Sequence, residues 1–410
     1  MIEGRILLPT PLLCRKDRIV RRFRVFFLKY IRYNLPLSMI SGVWDMLAGQ
    51  KSESEAKRIL GLDGLRALSV IAVFFHHTGG TLMKGGYIGV EVFFVLSGYL
   101  ITSILCREKN KSGAIDFVGF YIRRARRLYP ALILLLVAVV AYCAIYNKYN
   151  LTLETIPSLF YVMNWYRAFE WYDAVLTGHT WSLAIEEQFY LLWPLLLSLL
   201  IWCSPRKLPL FIFALILSIV AWRTYLFLGN AHLSRIYNGF DTHADALLVG
   251  ALLALVSTDV LRRVGLLWVP ALAFLLVVLF NQEMTDFSLS RHGFGIVAVA
   301  SAMVIAKVVS DQSSMLVRVL SFKPLVWLGT VSYGFYLWHY PLIQAVMYGG
   351  HDPILGFYGS LAYPIPFLVG TIFLGTLLIT SISWYFVEKP IINYAHKKTS
   401  LRSSQVQAVS

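Results

Sequence analysis

Charge is scarce in this 410-residue chain, and acidic charge scarcer still: 14% of residues are charged, with 22 Asp and Glu against 37 Lys and Arg. Soluble domains sit near about 25% charged and about 45–50% apolar. A composition that is 58% hydrophobic therefore excludes an ordinary soluble enzyme and reads as a polytopic membrane protein. Cysteine is equally thin. Cys14, Cys106, Cys143 and Cys203 form no CxxC pair, and three of them adjoin or lie within apolar runs, which argues against a disulfide framework or a zinc site. The first 58 residues hold no apolar core followed by a small-residue cleavage site, so no cleavable leader is expected. No GxSxG elbow is present to mark a serine nucleophile. No internal repeat is visible, which counts against an inverted-repeat transporter.

What is present is a succession of apolar segments. An all-α transmembrane bundle of about ten spans is expected, near 64–82, 86–106, 128–147, 183–203, 208–228, 243–258, 265–281, 292–309, 326–348 and 366–387. The segment Ile156–Tyr166 is apolar but short, and is where this count is most exposed to error. The formal charge of +15 does not point to nucleic acid, because the basic residues gather in the N-terminal tail and in alternate loops. The opposite loops carry Glu154, Glu170, Asp173, Glu283, Asp286 and Asp352. That asymmetry predicts a multi-pass protein of the cell membrane with both termini in the cytosol. Residues 1–58 form a basic tail. Within it Arg15–Tyr33 reads either as an interfacial helix on anionic lipid or as a cytosolic segment that only helps set topology. Residues 59–390 form the membrane domain, and 391–410 a short cytosolic tail.

The stretch Gly61–Thr102 is apolar enough to enter a bilayer, yet holds Asp63, Arg66, His76, His77 and Glu91. Each ionisable group at the membrane centre costs about 2.5–3.5 kcal/mol on insertion scales, so those retained there mark a site. Arg66 and His77 are eleven residues apart, three helical turns, and share one helix face about 16.5 Å apart along the axis. His76 is turned about 100° away, which makes His77 the candidate base to work with Arg66. Acyl transfer to a hydroxyl needs such a base.

Four further stretches carry chemistry. In Phe120–Leu132, FYIRRARRLYPAL, four arginines precede Pro130 and the span it is expected to open. Arg124 and Arg127 share a face, and guanidinium forks there suit the phosphates of coenzyme A. In Gly178–Pro194, GHTWSLAIEEQFYLLWP, Glu186 and Glu187 are adjacent, so only one is expected to face a site, where it would orient His77. Ser182 is expected to cap that helix. Asp241, His243 and Asp245 open another span. Without Cys or Glu-x-x-His partners they read as a polar rim rather than a metal site. Leu328–Leu342 sets His339 among Tyr and Trp, which fits an aromatic belt equally well. Gly85 and Gly89, at GxxxG spacing, permit close helix contact.

Taken together and in this order, these stretches resemble acyltransferase family 3, the polytopic enzymes that acylate bacterial O-antigen, peptidoglycan, exopolysaccharide, lipo-oligosaccharide signals and macrolides. The resemblance covers about residues 59–390. The family's Arg-x10-His motif falls on Arg66 and His77, its histidine being taken as catalytic. Its Arg-x-x-Arg motif falls on Arg124 and Arg127, implicated in handling the acyl donor. Its WSLxxE signature falls on Trp181, Ser182, Leu183 and Glu186, which favours Glu186 over Glu187. Glu91 stands where Asp or Glu is usual, and His243 stands where many members carry Arg. With Asp241 and Asp245, these two are candidates to line the site.

The resemblance implies transfer of an acyl group, most simply acetyl, from acyl-CoA to a hydroxyl of a carbohydrate, glycolipid or macrolide-like acceptor. Acyl-CoA is then a cosubstrate, with no bound cofactor and no metal. Members with an SGNH-type domain carry it after the last span. Only about 20 residues follow Pro390 here, so transfer is expected to finish within the membrane domain or on a separate acyl-accepting partner protein. Two other classes compete: a proton-coupled transporter or flippase, which also uses intramembrane His, Arg and Glu, and a non-catalytic partner descended from the enzyme, which the complete set of motifs argues against.

Overall fold

The computed structural model describes residues 58–79, 82–146, 149–282, 293–348 and 364–394, and every regular element among them is helical. The basic stretch Arg15–Tyr33 lies outside the described residues. The first helix, α1 (Leu60–His77), is unbroken, so Arg66 and His77 do share one helix. Asp63 in its first turn accepts from Arg58 Nε, just before the helix, at 2.6 Å. Next come α2 (Ile88–Ser112), which ends at Gly113 in the left-handed conformation (φ 74°), and α3 (Phe117–Tyr146). Pro130 sits inside α3 rather than opening it, so the arginine cluster occupies helix and not the loop before one. A proline in a helix interior removes one backbone hydrogen bond without forbidding continuation when the helix is packed.

Between α3 and the next long helix lie only α4 (Leu151–Leu159) and α5 (Met163–Ala168), at nine and six residues too short to span a bilayer. A short 3₁₀ turn, Gly178–Thr180, leads into α6 (Trp181–Cys203), and α7 (Leu208–Leu228) follows. The chain then breaks into α8 (Leu233–Asn238), α9 (Phe240–His243), α10 (Asp245–Leu253), α11 (Thr258–Gly265) and α12 (Trp268–Asn281). The rest comprises α13 (Phe294–Ser310), α14 (Met315–Leu320), α15 (Lys323–Thr330), α16 (Ser332–Ile343) and α17 (Pro364–Ser383).

Five of the described helices are long and apolar enough to cross a membrane, or six if α11 and α12, bent by 55°, make one span. The other segments of the ten expected fall on helices that are shorter, broken or rich in polar groups. The expected span 243–258 is interrupted at Ala244, between α9 and α10, and 326–348 is interrupted at Val331, between α15 and α16. Hydropathy does not register the break at Val331, because α15 and α16 are both largely apolar, while the break at Ala244 follows the polar turn Asp241–Thr242–His243 at the very start of the expected span.

Burial sorts the long helices. The apolar window of α2 is 78% buried, that of α7 only 11%, so α2 runs through the protein interior while α7 presents its side chains outward. Glycine makes the interior packing possible. The Cβ of any other residue at Gly98 on α2 would fall on the carbonyl of Leu247 in α10, and one at Gly250 on α10 would fall on that of Val95. The GxxxG pair has two different partners: Gly85 abuts the Val278 carbonyl of α12, and Gly89 that of Ser69 on α1.

Candidate active site

Two openings lie along α1. The first is a cavity of about 720 Å³, counted with its open mouth, walled by α1, α2, α3, α6 and α16. Arg66, Arg124 and Arg127 line it together with Glu186, Glu187, Ser97 and Tyr190. The helical phase of Arg124 and Arg127 turns both toward this cavity, Arg124 half-buried and Arg127 exposed, whereas Arg123 is drawn off to Glu108 at 3.4 Å. The Arg124 guanidinium stacks 4.7 Å above the Tyr190 ring, a cation–π contact that fixes its direction. Glu186 Oε1 accepts from Ser97 Oγ at 2.7 Å. Both glutamates line this cavity, contrary to the expectation that adjacent residues could not share a site, because it is wide enough to meet two faces of α6.

Ser182 does not cap α6. It bonds the Tyr336 hydroxyl at 2.7 Å, and that hydroxyl in turn donates to the His179 carbonyl at 2.9 Å. The result is a chamber of mixed polar and apolar lining, with three arginines, two glutamates and several hydroxyls. Its guanidinium groups suit a multiply charged anion.

The second opening, about 730 Å³ and wide at its mouth, is lined by His76, His77, Gly79, Tyr340 and Gln344. His77 thus opens away from the arginine chamber, at the far end of the same helix. Its Nδ1 lies 3.0 Å from His339 Nε2, and not against either glutamate. The expected pairing of Glu186 with His77 is therefore replaced by a histidine–histidine contact, while Glu186 is engaged by Ser97. His76 turns aside, its Nδ1 3.0 Å from the Lys84 carbonyl.

A third histidine, His179, stands behind this pair, its Nε2 3.2 Å from the Leu337 carbonyl and its ring 5.6 Å from that of His339. The turn bearing His179 is clamped by Glu154, which the sequence suggests as an ordinary loop charge. Fully buried, Glu154 accepts from the backbone N–H groups of Val175, Leu176 and Thr177 and from the Tyr172 hydroxyl. Burial and this carboxylate push the Tyr172 hydroxyl up to about 12.

The remaining candidates line neither opening. Glu91 is fully buried against His243 Nε2, whose Nδ1 donates to the Tyr237 carbonyl at 2.6 Å. Asp241 takes a fork from Arg235, at 2.9 and 2.5 Å, and accepts from the Trp222 indole. Asp245 is held by Arg223, Nη1 to Oδ1 at 3.0 Å. Nη2 lies 2.9 Å from Oδ2, close enough for ion pairing but off the angle of a hydrogen bond. These four side chains join α2, α7, α8, α9 and α10 rather than forming a rim, because each already has an internal partner.

The chain matches the acyltransferase domain family over residues 59–384. It belongs to that family. Similar proteins include the peptidoglycan O-acetyltransferase OatA of Listeria monocytogenes, 39% identical over 82% of this chain and 57% of that protein. The putative peptidoglycan O-acetyltransferase YrhL of Bacillus subtilis is 36% identical over 84% of this chain and 56% of its own length. The O-acetyltransferase OatA of Staphylococcus aureus is 34% identical over 81% and 57% respectively. The chain spans a little over half the length of these relatives. No solved structure matches it.

Within this acyltransferase domain, several site residues carry no sequence signal of their own. Ser97, Tyr190 and Tyr336 sit in apolar helices where a hydroxyl is unremarkable. His179 lies inside the GHTWSL stretch but without a partner in sequence. The contact of His339 with His77 spans 262 positions.

Proposed function

We propose that this acyltransferase domain moves an acetyl group from acetyl-CoA to a hydroxyl of a cell-wall carbohydrate, in a bacterial cytoplasmic membrane that it crosses with both termini in the cytosol. The observation that carries this reading is the arrangement along α1: an arginine chamber at Arg66 and a histidine opening at His77 on one continuous helix. Eleven residues at about 1.5 Å each separate them by about 16.5 Å, comparable with the reach of a pantetheine arm. The Listeria relative, a peptidoglycan O-acetyltransferase, and the putative one of Bacillus support the carbohydrate acceptor and the acetyl group.

In this reading Arg124 and Arg127 receive the coenzyme A phosphates from the cytosolic side, and Arg66 steers the arm along α1. Glu186, held by Ser97, limits the excess positive charge among the three arginines and so lets the product leave. His77 takes the proton of the acceptor hydroxyl as its oxygen attacks the thioester carbonyl carbon. The new C–O ester bond forms, the C–S bond breaks, and the proton on His77 passes to the departing thiolate.

The test is acetyl transfer by the full chain in membranes, followed with labelled acetyl-CoA and by one acetyl increment in the mass of the glycan. His77→Ala should lower kcat by about 10²–10⁴-fold, the usual worth of a general base. Joint replacement of Arg124 and Arg127 by Ala should instead raise KM for acetyl-CoA roughly 100-fold or more, since each charge-assisted bond contributes about 1.5–3 kcal/mol. Wild-type turnover in His77→Ala, with insertion verified, would remove the base from the scheme.

A further inference from the structure

We propose that His339 is a positioning residue for His77, holding its imidazole in the tautomer protonated at Nδ1 so that Nε2 carries the free lone pair. This rests on the reading of His77 as the base, but its geometry stands independently of that reading. The chain of contacts starts from a group whose role is not adjustable. His339 Nδ1 lies 2.6 Å from the backbone carbonyl of Tyr336, three residues earlier on α16. A carbonyl only accepts, so His339 Nδ1 carries the proton. In a neutral imidazole the other nitrogen is then an acceptor. That nitrogen, Nε2, is the one 3.0 Å from His77 Nδ1. His77 must therefore donate through Nδ1, which leaves its Nε2 unprotonated at the opening the residue lines.

The alternative assignment requires His339 to be a cation donating to His77. The surroundings oppose that. The His339 side chain is fully buried, beneath the stacked ring of Phe335 at 6.3 Å and beside Phe74. The titratable and charged groups that face the pair are His76 on α1, His179 on the 3₁₀ turn, Arg167 on α5 and Tyr340 on α16. None is a carboxylate, and among the described residues no carboxylate contacts either ring. A buried cation without an anionic partner is costly, so the neutral pair with one defined direction of donation is the stable state.

His339 thus takes the place that a carboxylate occupies in a catalytic triad, fixing tautomer and ring orientation. It differs in one respect: a neutral imidazole does not neutralise the cation formed when His77 accepts a proton. The site favours prompt onward transfer of that proton over its storage.

The tautomer can be read directly. Full-length protein labelled with ¹⁵N-histidine and reconstituted in lipid nanodiscs should show, for the signal lost in His77→Ala, a protonated Nδ1 and an unprotonated Nε2. In His339→Ala that pattern should collapse to a mixture or to Nε2–H. In His339→Gln, whose amide oxygen can accept from Nδ1, it should be largely retained. Kinetically, His339→Ala should lower kcat about 10- to 100-fold with little change in KM for acetyl-CoA, in line with the loss from misaligning a catalytic group. His339→Gln should recover part of it.

A wild-type signal with Nε2 protonated, or a pattern unmoved by His339→Ala, overturns the proposal. If His339→Ala does not fold, the wild-type tautomer alone decides. Active His77→Ala alongside the expected tautomer would instead remove the general-base reading and leave the positioning contact standing.

Discussion

Arg223 and Asp245 are almost wholly withdrawn from solvent, their side chains 1% and 2% exposed, and each is the other's charge partner. Arg223 also donates to the Thr242 carbonyl at 2.9 Å, so one guanidinium ties α7 to the break between α9 and α10. Removing one member of such a pair strands the other's charge, which costs about 3–5 kcal/mol, whereas replacing both by apolar residues of similar volume is close to neutral. Arg223→Met should therefore lower the thermal unfolding midpoint in detergent sharply, and Arg223→Met with Asp245→Leu should restore most of it. A single mutant as stable as wild type would show that the pair carries no such load. Arg223 also marks what single residues conceal. One arginine in the apolar run of α7 carries no motif to single it out, and only the fold shows that it points inward. Arg66, Arg124 and Arg127 were placed on helix faces by local spacing, whereas Glu186 was set apart from Glu187 only by the family resemblance, and both line the cavity. The partner of His77 was not legible, because the hydrogen bond closes a separation that no periodicity reports.

At the scale of elements, long uniform helices such as α6 and α7 could be read almost to the residue, since apolar length decides them. The broken ones could not. α9 and α10 together look like one span until Ala244 interrupts them, and what makes the break tolerable is packing: α10 is pressed onto α2 by Gly98 and Gly250, each against the other helix's backbone. A side chain at either glycine would strike a carbonyl rather than a flexible neighbour, so the helices must part. Gly98→Val and Gly250→Val should each destabilise the protein by about 1–3 kcal/mol, the usual cost of overpacking, or more if seating fails. Gly375→Ala on α17, with nothing within 4 Å of the added carbon, should leave stability unchanged or slightly raised. Equal effects at all three positions, measured as melting shifts in one detergent, would mean that helix propensity and not the α2–α10 contact governs these sites.

For the whole molecule, the two openings on α1 give the proposed reaction a direction, because a donor arriving from the cytosol and an acceptor met at His77 need opposite ends of that helix to face opposite compartments. The charge asymmetry of the loops carries the same expectation. Native thiols make it testable with little engineering. Cys203 is exposed at the end of α6, one short turn before α7 begins, while His232, with a side chain 79% exposed, follows the far end of α7. Cys143 is buried and Cys106 half-buried, so neither should compete strongly for a bulky reagent. In intact cells a membrane-impermeant maleimide should leave the wild-type protein unlabelled and should label His232→Cys. After permeabilisation both proteins, with Cys14 replaced by Ser in each so that Cys203 is the reporter on that side, should gain label at Cys203. Labelling of wild-type protein in intact cells, with His232→Cys adding signal only once the membrane is opened, would invert the chain and put the arginine chamber on the side where no cytosolic thioester can reach it.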